Sequence, residues 1–303
     1  MKRFVIWIIT VIITVLTLDI ISGKLFDYYL KNHTLPGDYE SIEKVLRHND
    51  ADLLILGSSV ALNSINNKVL GDSLGINSFN GGGNGQTFPF FLTMLKASIT
   101  KHTPKQVILC VQPSALTSEG LGNRYNIFAP YYGLNIADID ENLNNIKEHN
   151  NIFLKSSFYK LNTIWLRIFL YHFITPNLIG EDGHIAKPKP PVYPEKNDAY
   201  IEKISAERKN QLAEFLTLCR DNNIKVTILF TPEYVNYTNM NDKTNAINFV
   251  QDIAAKYDAA VYVDSQSEPF TTSPTLFYDN SHINIDGTKI YTDIVLSRLK
   301  YDK

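Results

Sequence analysis

The chain has 303 residues, 44% of them hydrophobic, which is enough to bury a full core as one large domain or two small ones. Its formal net charge is −2 and no long run of like charge occurs, which argues against a nucleic-acid surface. Two cysteines, Cys110 and Cys219, fall inside apolar patterns, so core packing is their expected role, with a disulfide between them left open. No Cys or His has metal-ligand spacing, and no cofactor is expected.

The N-terminus differs from everything after it. Lys2 and Arg3 precede an apolar run from Phe4 to about Ser22, interrupted by threonines and by Asp19. About 19 helical residues at 1.5 Å each cover most of a hydrocarbon layer roughly 30 Å thick. No small-x-small cleavage site follows, so residues 1–24 read as an uncleaved signal anchor rather than a cleaved signal peptide or a core helix. Basic residues before the span, with only Lys24 after it, put the N-terminus in the cytoplasm and the bulk of the chain outside. Asp19 would sit near the outer interface.

Residues 25–50 read as a polar, partly helical connector, in which Ile42, Val45 and Leu46 share a helical face. From Ala51 onward short apolar strands alternate with amphipathic helices. Strands are expected at "DLLILG", "INSFNG", "QVILCVQ", "KVTILFT" and "AAVYVDS". Helices are expected over 89–100, 205–222, 243–257 and from about Gly287 to Leu299. Strands apolar throughout, with helices between them, predict a doubly wound α/β domain over 51–303, built on a parallel five-stranded sheet. Residues 117–204 interrupt the alternation as a long insert. It holds an aromatic stretch, "TIWLRIFLYHFI", a proline-rich loop, "AKPKPPVYPEK", and the histidines His172 and His184, for which no catalytic role is expected. Packing is the expected role of the aromatic stretch; facing a membrane or lining a cleft are the alternatives.

Ligands of an open parallel sheet bind beyond the carboxyl ends of its strands, so those loops were read for chemistry. The first is Gly57-Ser58-Ser59, which fits either a helix-capping turn or a presented nucleophile. The second, "FNGGGNGQT", lacks the Lys-Ser/Thr of a phosphate loop and the spacing of a dinucleotide fingerprint. It reads better as backbone N–H groups offered to an oxyanion. The third is Gln112-Pro113-Ser114. The last, "FYDNSHINIDG", sets Asp279 three residues before His282, a spacing that lets a carboxylate hold Nδ1–H while Nε2 faces outward. Asp286 is the expected N-cap of the final helix, which leaves Asp279 free for that task. Ser59, His282, Asp279 and the Gly85 amide would thus supply nucleophile, base, orienting group and oxyanion donor at one sheet edge.

These residues resemble the SGNH (GDSL-type) hydrolase superfamily. Gly57-Ser58-Ser59 matches its Gly-x-Ser turn, which makes Ser59 the nucleophile. Asn80, Gly82 and Gly85 match its Asn-x-Gly-x-x-Gly block, and the resemblance implies that the Gly85 amide is an oxyanion donor. Asp279 and His282 match Asp-x-x-His, and "HINIDG" looks like the His-x-Asn-x-x-Gly continuation of membrane-associated members. The Gly-x-Asn-Asp block is missing; Gln112, Ser114 or Asn123 would have to replace its asparagine. The anchor and the Gly-Ser-Ser turn are similar to the branch that includes D-alanyl transfer proteins of teichoic-acid assembly and O-acetyltransfer proteins of exopolysaccharide export. That likeness implies an acyl donor, a glycan acceptor and a membrane-bound O-acyltransferase as partners.

The expected activity is serine esterase or acyltransferase chemistry on cell-surface or exported polysaccharide, at the outer face of the cytoplasmic membrane. The competing expectation, motivated by the missing block, is a catalytically silent glycan-binding or scaffold protein with the same fold.

Overall fold

A computed structural model of the chain describes residues 1–35, 37–117, 123–146, 151–174 and 184–301. In chain order, helix α1 (Lys2–Asn32) and helix α2 (Tyr39–His48) precede strand β1 (Leu53–Gly57). Then come α3 (Ser59–Ser64), α4 (Asn67–Leu74), β2 (Ser78–Asn80), α5 (Phe88–Lys101) and β3 (Gln106–Val111). The insert contributes α6 (Ile139–Asn145), α7 (Asn151–Leu154), α8 (Ser157–Lys160), α9 (Ile164–Ile174) and β4 (Asn197–Ala199). The chain closes with α10 (Ala206–Asp221), β5 (Lys225–Phe230), β6 (Val235–Tyr237), α11 (Met240–Ala255), β7 (Ala260–Val263) and α12 (Ile285–Tyr301).

Five strands form one parallel sheet in the order β2-β1-β3-β5-β7, as the apolar runs predict. Alternation along each strand divides the core in two. Leu54 and Leu56 of β1, with Val107 and Leu109 of β3, face a core shared with α2, α5, α10 and α11. Leu53 and Ile55, with Ile108 and Cys110, face a second core closed by α3, α4 and α12. The cysteines lie in different cores and both thiols are free. Burial pushes the Cys219 thiol up to about 12, so it is inert packing at neutral pH.

Two features of the insert differ from the sequence reading. The three-residue strand β4 lies within it and pairs in parallel with β6, too short to carry an apolar signature. Residues 123–146 are core rather than excursion: Tyr125, Phe128, Tyr131, Ile139 and Leu143 are buried, and Phe128 stacks on Phe90 of α5. The aromatic stretch packs on one face only: Ile164 and Ile168 are buried and Trp165 docks on α1. Trp165 donates through Nε1 to Ser22 Oγ at 2.9 Å and meets Phe26 edge-on, while Leu166 and Phe169 stay exposed.

Helix α1 is long and apolar enough to cross a membrane. Its 31 residues extend about 46 Å, some 16 Å beyond a hydrocarbon layer. The surplus turns are the ones that join the domain, through buried Ser22, Phe26 and Leu30.

Candidate active site

Strand β1 ends in Gly57, at φ +151°, where a β-carbon would collide with the Cys110 carbonyl oxygen of β3. Only glycine fits this bend and close approach. The chain then turns at Ser58, whose carbonyl accepts from Ala61 N at 3.0 Å, and α3 begins at Ser59. Ser58 occupies the N-cap position without a side-chain cap bond. Ser58 thus starts the helix without capping it through its hydroxyl, and Ser59 stands at the first helical position. The Ser59 N–H, at a helix start, has no intrahelical acceptor.

Ser59 Oγ lies 2.7 Å from His282 Nε2. On the other side of the ring, Nδ1 is 2.9 Å from both Oδ1 and Oδ2 of Asp279. Asp279 Oδ1 also accepts the backbone N–H groups of Ser281 and His282, each at 2.9 Å. Burial opposes ionisation of Asp279, but the His282 ring and these two N–H groups outweigh it and hold the carboxyl below its ordinary value. Because a carboxylate only accepts, Nδ1 carries its N–H toward Asp279, and the unprotonated ring would then turn its Nε2 lone pair toward Ser59.

The loop carrying this pair is tied down from several directions. Phe277 and Ile283 form an antiparallel bridge, and Tyr234 N donates to Asn280 O at 2.8 Å. Gln112 Nε2 reaches Ser281 O at 3.5 Å. Gln112 thus lies at the histidine loop, where one of its amide hydrogens serves that loop. Ser114 is exposed on the 3-10 turn after β3, and the Asn123 and His172 side chains lie outside the described residues.

Asn284, not Asp286, caps α12. Its Oδ1 accepts from Asp286 N at 3.0 Å and Gly287 N at 3.2 Å, while Nδ2 donates to the carbonyls of Thr275 and Phe277. The helix starts two residues earlier than its apolar pattern indicates, which leaves Asp286 in the first turn, paired with Lys189. Asn284 was legible as part of "HINIDG", but its capping task was not.

The glycine loop is partly spent on its own fold. Asn80 is fully buried; its Nδ2 donates to Ala61 O at 2.7 Å and its Oδ1 accepts from Gly82 N at 3.0 Å. Gly81 N and Gly83 N donate to Ile55 O and Gly57 O. Asn80 and Gly82 therefore brace the loop against the serine helix, and their groups are not open to a ligand. Gly85, at φ +62°, packs against the guanidinium of Arg124, which donates to Asn84 O at 3.2 Å. The Gly85 N–H has no backbone acceptor among the described residues.

Sequence reasoning missed three neighbours. Asn63 Nδ2 donates to Ser59 O at 2.5 Å, one turn along α3. Arg124 comes from the insert, far from Gly85 in sequence. Residues 184–196 run along the site as a strap: Ile185 N donates to Leu62 O, Ile285 N to Lys187 O, and Asn280 Nδ2 to Glu195 O. His184 belongs to this strap, next to Ile185. No group of three or more His, Cys, Asp or Glu able to hold a metal occurs among the described residues.

No family model matches the chain, and no curated protein sequence matches it. Among solved structures it is similar to a GDSL-like lipase from Bacteroides thetaiotaomicron, with 11% identity over 93% of this chain and 98% of that one, at TM-score 0.39. It is also similar to a lipase/acylhydrolase from Enterococcus faecalis, with 11% identity over 82% and 96% of the two chains, at TM-score 0.41.

Proposed function

We propose that the protein is a membrane-anchored serine esterase or O-acyltransferase of the SGNH type, acting outside the cytoplasm on acyl esters of cell-surface or exported polysaccharide. The observation that supports it is the line Ser59 Oγ–His282 Nε2, at 2.7 Å, continued by Asp279 on Nδ1 at 2.9 Å. An imidazole hydrogen-bonded to a hydroxyl and backed by a carboxylate is placed for general-base activation of a nucleophile.

In this reading Ser59 Oγ attacks the ester carbonyl carbon while His282 Nε2 takes the hydroxyl proton. Asp279 stabilises the imidazolium without accepting its proton. The N–H groups of Ser59 and Gly85 hold the tetrahedral oxyanion, a contribution of about 3–4 kcal/mol per donor. Collapse breaks the bond to the leaving alcohol, which receives the proton from His282. Water or a sugar hydroxyl, deprotonated by His282, then takes the acyl group from Ser59. Esterase and transferase share every one of these groups and differ in whether water reaches the acyl-enzyme.

The test is labelling of the full chain in membranes with a serine-reactive fluorophosphonate, with the adduct located by mass spectrometry. The adduct is expected on Ser59, absent in Ser59→Ala and strongly reduced in His282→Ala. Labelling that persists in Ser59→Ala overturns the nucleophile assignment. Acetyl-ester cleavage with and without a glycan acceptor separates the two activities: faster turnover with acceptor, and acyl groups on the sugar, identify transfer.

A further inference from the structure

A cavity of about 410 Å³ opens between the start of α2, the 84–86 turn, residues 124–130 and the α8–α9 pair. Three cations line it, Arg124, Lys160 and Arg167, against one carboxylate, Asp38. Among the described residues none of the three forms a salt bridge, and the contacts they make are uncharged. Arg124 donates to Asn84 O at 3.2 Å, Lys160 Nζ to Tyr132 O at 2.9 Å, and Arg167 sits over the Tyr39 ring at 5.8 Å. Asp38 accepts instead from Asn84 Nδ2 at 3.1 Å. Asp19, Asp27 and Asp140 act on Lys160 only through space. A concave wall with this excess of positive charge concentrates anions. Two guanidinium forks beside an ammonium suit the oxygens of a phosphate better than a single carboxylate.

The surroundings say where such an anion would come from. Lys160 and Arg167 belong to α8 and α9, which dock on α1 just where its apolar stretch ends. Asp19 of α1 accepts from Ser156 Oγ at 2.9 Å and from Phe158 N at 2.6 Å. Beside this junction the insert exposes Ile152, Phe153, Leu166 and Phe169, the first of them 72% exposed. An apolar collar around the root of a membrane-length helix fits the acyl boundary of a bilayer, which would leave the cationic cavity at head-group depth.

We infer that the cavity is a binding site for a phosphate ester presented at the membrane surface, held by Arg124, Lys160 and Arg167. The ester is either a phospholipid head group or the phosphate monoester of a small soluble molecule. The site goes beyond the acyl chemistry proposed for Ser59 and does not depend on it.

The experiment uses the full chain carrying Ser59→Ala, in dodecyl maltoside, a detergent free of phosphate. Short-chain phosphatidylglycerol and sn-glycerol 1-phosphate are titrated separately, read by Trp165 fluorescence and by thermal stability. Saturable binding is expected for at least one probe: tighter binding of the lipid identifies a head-group site, tighter binding of glycerol phosphate a soluble phosphate monoester. Lys160→Gln with Arg167→Gln should weaken it at least ten-fold, with an unchanged near-ultraviolet circular dichroism spectrum. Should that pair fail to fold, Arg167→Gln alone should still weaken binding and Arg167→Lys should restore part of it. Absence of saturable binding for both probes, or binding indifferent to these substitutions, overturns the inference. Fluorophosphonate labelling of Ser59 in the otherwise unaltered chain is a separate readout, so failure of one reading leaves the other standing.

Discussion

His282 Nδ1 stands 2.9 Å from each carboxylate oxygen of Asp279, and that carboxylate also accepts two backbone N–H groups of the same loop. Asp279 both orients the ring and folds the turn that carries it. In Asp279→Asn an amide oxygen can keep the turn, but the negative charge is gone and the amide can present N–H to Nδ1, favouring the wrong tautomer. Ester kcat/KM should fall roughly 10³–10⁴-fold, with a melting temperature close to that of the parent. A large drop in melting temperature with kcat/KM unchanged would contradict the assignment.

Glu233 follows β5 and is buried, bonded to the Tyr237 hydroxyl and near Lys243. Burial raises its carboxyl to about 7 from 4.5, against the lowering effect of Tyr237 and Lys243. A folded value above the unfolded one means that the folded state holds the extra proton between these limits. Its contribution is full below pH 4.5 and is lost as pH rises through 7. Unfolding free energy should therefore decline over this window by roughly 3 kcal/mol, and Glu233→Gln should flatten that decline in urea titrations at successive pH values.

Gly57→Ala places a β-carbon against the Cys110 carbonyl at a backbone angle that L-residues rarely adopt. Destabilisation of about 2–4 kcal/mol is expected in chemical denaturation. Because Ser59 follows two residues later, the surviving folded fraction should also label poorly with fluorophosphonate.

Asn284→Ala removes a helix cap and the donors to two loop carbonyls, at a cost of about 2–3 kcal/mol. Asp286→Ala removes an ion pair with Lys189 at the surface, where solvent screening should leave a much smaller effect than that of Asn284→Ala. Equal effects of the two substitutions in thermal unfolding would sink the capping assignment.

The sheet was legible because its strands are buried on both faces and read as short uninterrupted apolar runs, and its loops could be found by subtraction. Ser59 was legible from its place at a strand end and from the family resemblance, and Asp279 with His282 from their three-residue spacing; the contact that joins them spans 223 residues. The glycine loop was less transparent. Four glycines suggest open N–H groups, yet those of Gly81, Gly82 and Gly83 are consumed by Ile55, Asn80 and Gly57, partners that only the packed loop reveals. Arg124 against Gly85, the strap at 184–196 and the docking of Trp165 on Ser22 all join residues distant in sequence, and no local pattern encodes them. The cap on α12 was missed for a different reason. Asn284 and Asp286 are both good caps by type, and the carbonyls of Thr275 and Phe277 decide between them.

Helix α1 enters the domain without a break, its last turns locked by Phe26, Leu30 and the Trp165 contact. An enzyme hung from a limp tether samples every height its leash allows; one mounted on a stiff post works at a single altitude. On the proposed reading, ester groups at that level would be within range whatever their chemistry and identical esters further out would be spared, so that distance from the bilayer would act as a selectivity filter in its own right.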